Sequence, residues 1–126
     1  MATTELTLDN IEDTIRDNDI VVVDFWAEWC GPCRMFGPVF EAASQDNTDI
    51  IFGKVDTEAQ QQLAGSFGIT SIPTLMAFRE GVLVFNQPGA MPAPQFSQLL
   101  EAIKGLDMKE VHAKVAQAQA EPSAGN

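Results

Sequence analysis

Apolar positions set the rhythm of the chain. From Leu8 through Ile11 to Ile15 they step by three and four, which predicts a short amphipathic helix capped by Thr7, with its acidic side chains toward water. Asp19 falls in the turn that follows. Ile20-Val21-Val22-Val23-Asp24-Phe25-Trp26 is β-branched and aromatic with hardly a polar interruption, the pattern of a central strand covered on both faces. Pro32 suits the first turn of a helix running to about Gln45, with Met35, Phe36, Val39, Phe40 and Ala43 as its apolar stripe and Gly37-Pro38 as a bend. Ile50 to Asp56 reads as a second interior strand, and Glu58 to Ala64 as a short helix ending near Gly65. Thr74 to Phe78, a Glu80-Gly81 turn and Val82 to Phe85 form a β-hairpin. Phe96, Leu99, Leu100 and Ile103 place a last helix over Ala93 to Lys104. Strands alternating with helices give an α/β fold.

Past Gly105 the periodicity weakens and Ala, Gln, Glu and Ser take over. The expected organisation is therefore one domain over residues 1–105 and a polar tail over 106–126, partly helical or disordered. A chain of 126 residues can bury one sizeable core, and its longest apolar runs fall far short of a membrane span. The net charge of −11 repels nucleic-acid phosphates and anionic lipid headgroups alike, so neither nucleic acid nor membrane is an expected partner. Met1 to Glu5 lacks the basic start and apolar stretch of a secretory signal, which points to the cytoplasm.

The chain's only cysteines, Cys30 and Cys33, stand two residues apart, too few and too close for a disulfide framework. They sit where a strand ends and a helix begins, beside unpaired backbone N–H groups at the positive end of the helix dipole. Such a place favours thiolate, the attacking species in disulfide exchange, so Cys30 is the candidate nucleophile, provided that its side chain is exposed. Cys33, one turn into the helix, is expected to be more buried. Residues three apart on a helix have Cβ atoms about 5–6 Å apart, so a modest closure lets the two sulfurs bond. As a cross-link alone, so short a loop restrains the unfolded chain by only about 2 kcal/mol. A structural zinc site takes four ligands, whereas the chain adds only His112, out in the tail, to the two thiolates. Arg34 excludes haem attachment through Cys-x-x-Cys-His. Redox chemistry is the reading that remains.

The segment Val23-Asp24-Phe25-Trp26-Ala27-Glu28-Trp29-Cys30-Gly31-Pro32-Cys33-Arg34-Met35 resembles the active-site stretch of the thioredoxin family. The likeness continues in Pro38, Lys54-Val55-Asp56, Ile72-Pro73-Thr74, Gly81 and Gly89, and spans about residues 5–105. It implies a thioredoxin fold, a central mixed β-sheet flanked by helices, with a small first strand near Glu5 to Thr7. It further implies a protein-disulfide reductase with no bound cofactor, acting as a monomer on disulfide-containing client proteins. Its own disulfide would be reduced by thioredoxin reductase with electrons from NADPH.

By the same resemblance Cys30 attacks the target disulfide, Cys33 resolves the mixed disulfide, and Asp24 takes the place of the family's buried carboxylate that assists resolution. The strand pattern agrees, because Asp24 shares a face with Val22 and Trp26, and desolvation there raises a carboxyl's proton affinity. Lys54 matches the lysine beside that carboxylate, although a strand lysine facing solvent reads equally well, and Trp26 packs beneath the surface. Trp29, Gly31, Pro32, Ile72, Pro73 and Gly89 match the client-docking rim, with Pro73 at the family's cis-proline. Gly37, Pro88, the Met91-Pro92-Ala93-Pro94 run and the tail match no family motif. Two rival functions stay open: a scaffold or chaperone subunit acting without thiol chemistry, and an oxidant or isomerase of an oxidising compartment.

Overall fold

The computed structural model of the protein describes residues 2–120. Its elements run β1 (Thr3–Glu5), α1 (Ile11–Asp17), β2 (Ile20–Trp26), α2 (Gly31–Asp46), β3 (Ile51–Asp56), α3 (Gln61–Ser66), β4 (Thr74–Arg79), β5 (Val82–Pro88), α4 (Ala93–Lys104) and α5 (Met108–Ala120). One sheet orders them β1-β3-β2-β4-β5. β3 is parallel to both β1 and β2, while β4 is antiparallel to β2 and β5. β2 is thus the central strand of the five, hydrogen-bonded on both edges, as its unbroken apolar run requires.

Side-chain alternation along β2 sorts the core into two faces. Val21, Val23 and Phe25 pack with Ile11 of α1 and Leu63 of α3. Ile20 and Val22 pack with Phe36 and Phe40 of α2 and Phe96 and Leu100 of α4. On that second face the rings of Phe36 and Phe96 meet edge-on at 5.3 Å, and those of Phe40 and Phe52 at 5.2 Å. Asp24 shares the parity of Val22, so it faces the α2 side of the sheet. The β4–β5 turn has positive φ at both Glu80 (50°) and Gly81 (82°), the mirror-image geometry that matches strand twist in two-residue hairpins.

Several local expectations are corrected. Thr7 does not cap α1: Asn10 is the capping position, and the Asn10 side chain accepts the Thr7 N–H at 2.8 Å. Leu8 is 48% exposed and outside the helix. The first strand lies at Thr3–Glu5, earlier than expected, because it pairs with Phe52 to Lys54 of β3, a partner remote in sequence. α3 starts only at Gln61, since the Asp56 carboxylate accepts the N–H groups of Glu58 and Ala59 and holds that stretch in a turn. Met35 belongs to no apolar stripe facing the core, being 75% exposed.

The tail carries a 13-residue helix, α5. Asp107 starts it, accepting the Glu110 N–H at 3.3 Å, a capping pattern written in the sequence as Asp107-x-x-Glu110. Met108 is buried, and His112 Nε2 sits 2.6 Å from Glu80 Oε1 at the hairpin turn. That pairing places His112 away from the cysteines. Residues 121–126, for which a disordered end was expected, lie outside the described residues.

Candidate redox site

The cysteine pair stands at the junction of β2 and α2. Cys30 is the N-cap of α2, and its Sγ accepts the Cys33 N–H at 3.2 Å, so the sulfur occupies the place a capping oxygen usually takes. Cys30 and Cys33 are disulfide-bonded, with Cα atoms 5.2 Å apart. Cys30 Sγ also lies 3.7 Å from the Ile72 carbonyl oxygen. The expected contrast in exposure is absent: both cysteines are 4% exposed. Ala27, Trp26 and Ile72 form one apolar cluster with the pair and cover both sulfurs.

Asp24 lies on the strand leading to this junction, fully buried, with neither carboxylate oxygen accepting a hydrogen bond among the described residues. Burial pushes its carboxyl up to about 7, with the Lys54 charge pulling in the opposite direction. Lys54 is Asp24's register partner on β3 and is half-buried. Its ammonium rests 4.7 Å from the ring centroid of Trp26. Strand pattern alone could not separate this from a solvent-facing lysine, because the ring belongs to the neighbouring strand.

Of the residues matched to the docking rim, Ile72 packs against the disulfide. Trp29 is 66% exposed, and Gly31 and Pro32 are exposed at the start of α2. Trp29 and Ile72 line one side of a cavity of about 360 Å³ with Thr57, Glu58, Gln61 and Thr70. The Ile72–Pro73 bond is cis, and the Pro73 carbonyl accepts the Gly89 N–H at 2.8 Å. Gly89 has φ 106°, a conformation that glycine adopts without strain. Among the described residues no group of three or more His, Cys, Asp or Glu is placed to hold a metal ion. No helix there is long and apolar enough to cross a membrane.

A Cys-Gly-Pro-Cys disulfide at a helix N-terminus, at the end of a central strand that carries a buried carboxyl, defines a thiol-disulfide oxidoreductase. Comparison with known proteins gives the family. The thioredoxin family model matches residues 2–120. A Streptomyces coelicolor protein named as a candidate thioredoxin 2 is 55% identical over 120 residues, 95% of this chain and 90% of that protein. Thioredoxin 1 of Nostoc sp. is 45% identical over 102 residues, 79% of this chain and 95% of its own length. A thioredoxin from Halobacterium salinarum superposes with a TM-score of 0.76 at 33% identity, covering 82% of this chain and 92% of that one. The chain belongs to the thioredoxin family. The match reaches residue 120, so the family pattern extends beyond the 5–105 span carried by the motifs.

Proposed function

We propose that the chain is a general reductant of protein disulfides in the cytoplasm, recharged by thioredoxin reductase with electrons from NADPH. The observation that carries this is the bonded Cys30–Cys33 pair capping α2. In the reduced form the Cys30 sulfur keeps its place beside the Cys33 N–H and the helix dipole, both of which favour the thiolate. That thiolate attacks one sulfur of a client disulfide, forming a mixed disulfide and releasing the other client sulfur as a thiolate. Cys33 gives up its proton to Asp24, attacks Cys30, restores the Cys30–Cys33 bond and expels the second client sulfur. The client gains two electrons, and this chain loses two.

A carboxyl ionising at about 7 suits the proton step, since it is part ionised and part protonated near neutral pH. Lys54 acts on the reaction through Asp24 and is held by Trp26. Trp29, Gly31, Pro32, Ile72, Pro73 and Gly89 form the surface against which the client chain lies. The small number of cysteines, both in one redox pair, accords with a reducing compartment. The test is turnover of a disulfide-bonded protein with dithiothreitol as electron source. The parent chain reduces it, and Cys30→Ser does not; equal turnover by Cys30→Ser overturns the proposal.

A further inference from the structure

The face of the sheet that carries Asp24 has an open corner. α2 covers this face at Phe52, whose ring meets that of Phe40, but beyond it Thr3, Thr4, Glu5, Trp26, Lys54 and Asp56 border a cavity of about 450 Å³. None of the residues matched to the client-docking rim lines it. Trp26 is the shared wall, packing against the cysteine pair and bordering the cavity as well. We propose that this cavity is the port through which Asp24 exchanges its proton with solvent, and that Glu5 at its mouth speeds the exchange. The inference rests on the proton step assigned to Asp24 above and deepens it.

Register supplies the first argument. Glu5 pairs with Lys54, and Lys54 with Asp24, so the three stand in one row across β1, β3 and β2 and share a face. Two strand spacings, about 10 Å, separate Glu5 from Asp24. Half-buried Lys54 thus lies between a carboxyl sealed from water and a carboxylate exposed to it. The other elements on this face bring Asp24 no charge. β4 sets Leu75 opposite it, α2 turns Cys33, Phe36, Phe40 and Ser44 inward, and α4 turns Phe96, Leu100 and Ile103. Cys33 is the proton's source, Lys54 is the charged neighbour, and Glu5 and Asp56 stand beyond Lys54 at the cavity.

The second argument is the turnover itself. Resolution moves the Cys33 proton to Asp24, and the O–H bond so formed must break again before the carboxyl can serve once more. The proton then passes to water and on to a buffer base. While the mixed disulfide stands, the client covers the sulfur side, where Ala27 and Ile72 already close over the pair. The cavity, bordered by no rim residue, stays open to solvent. Two threonines, two carboxylates and an ammonium in its lining offer water the several hydrogen-bond partners it needs, with room for more than one molecule. Glu5 and Asp56 give the mouth a negative potential that draws a proton outward.

The test uses the full oxidised chain with aspartate isotopically labelled at the carboxyl carbon. Nuclear magnetic resonance line widths at the midpoint of the Asp24 titration read the proton-exchange rate. Glu5→Gln should slow exchange by about threefold, the effect of one unit charge about 10 Å away at an intermediate effective dielectric. Thr3→Phe, which sets an apolar ring over the mouth, should slow it further. A client peptide disulfide-bonded to Cys30 of Cys33→Ser covers the rim and should leave exchange as fast as in Cys33→Ser alone. An unchanged rate in Glu5→Gln or in folded Thr3→Phe overturns the port, and so does exchange that slows under the peptide. If the Asp24 signal of the parent does not titrate near neutral pH, the proton step itself fails and the port falls with it.

Discussion

Asp24 and Lys54 stand opposite each other on the parallel strands β2 and β3, yet the carboxyl is sealed from water and accepts no hydrogen bond among the described residues. Desolvation outweighs the attraction of Lys54, so the folded protein holds this proton up to about 7, against 3.8 for an ordinary aspartate. Between those values the folded state keeps a proton that the unfolded state has lost. Stability therefore falls as pH rises through that window, and the loss is complete above it.

Asp24→Asn removes this dependence. Its stability relative to the parent should rise by about 3–4 kcal/mol between pH 4 and pH 8, at roughly 1.4 kcal/mol per pH unit. Urea melts of both oxidised proteins at the two pH values read this directly. Parallel stability curves would mean that Asp24 titrates normally.

Lys54→Met leaves the buried carboxyl without its compensating charge. Its proton affinity climbs further, and the pH midpoint for release of a client from the mixed disulfide should move to higher pH. Rapid-mixing measurements across pH 5–9 would detect the shift, while a midpoint that stays put would detach Lys54 from the proton step.

Gly53 is a purely structural test. A Cβ at this position would fall on the side chain of Leu6, which is fully buried and has nowhere to move. Gly53→Ala should cost about 1–3 kcal/mol through overpacking. Reductase turnover below the melting temperature should be unchanged, since the strain lies at the β1 edge of the sheet.

Ending the chain after Gly105 tests whether residues 1–105 carry the reductase. Loss of α5 uncovers the site of Met108 and removes the exposed His112–Glu80 pair, which contributes little in water. A stability loss of about 1–3 kcal/mol with turnover retained is the expected result. Inactivity of a folded truncation would assign α5 to the reaction.

The elements legible in the sequence were those whose signals are local. β2 announces itself by an unbroken apolar run, α4 by its 3.6-residue spacing, and the hairpin by Glu80-Gly81. Elements made by distant partners were less legible: three-residue β1, which exists through its pairing with β3, was misplaced, and the extent of α5, anchored by Met108 and Glu80, was left open within a tail expected to be partly helical. Within the site, the position of the cysteines and the burial of Asp24 followed from strand parity and helix geometry. The equal burial of Cys30 and Cys33 did not, because part of their cover is Ile72, which comes from a segment remote in sequence. The stacking of Lys54 on Trp26 was equally hidden, since the two residues meet only through neighbouring strands.

The assignment of attack to Cys30 and resolution to Cys33 is tested most directly by trapping. Cys33→Ser, reduced and mixed with a disulfide-bonded protein, should accumulate a covalent adduct whose only new bond maps by mass spectrometry to Cys30. An adduct on Cys33 in the Cys30→Ser protein, with none on Cys30 in Cys33→Ser, would reverse the order of attack and contradict the account.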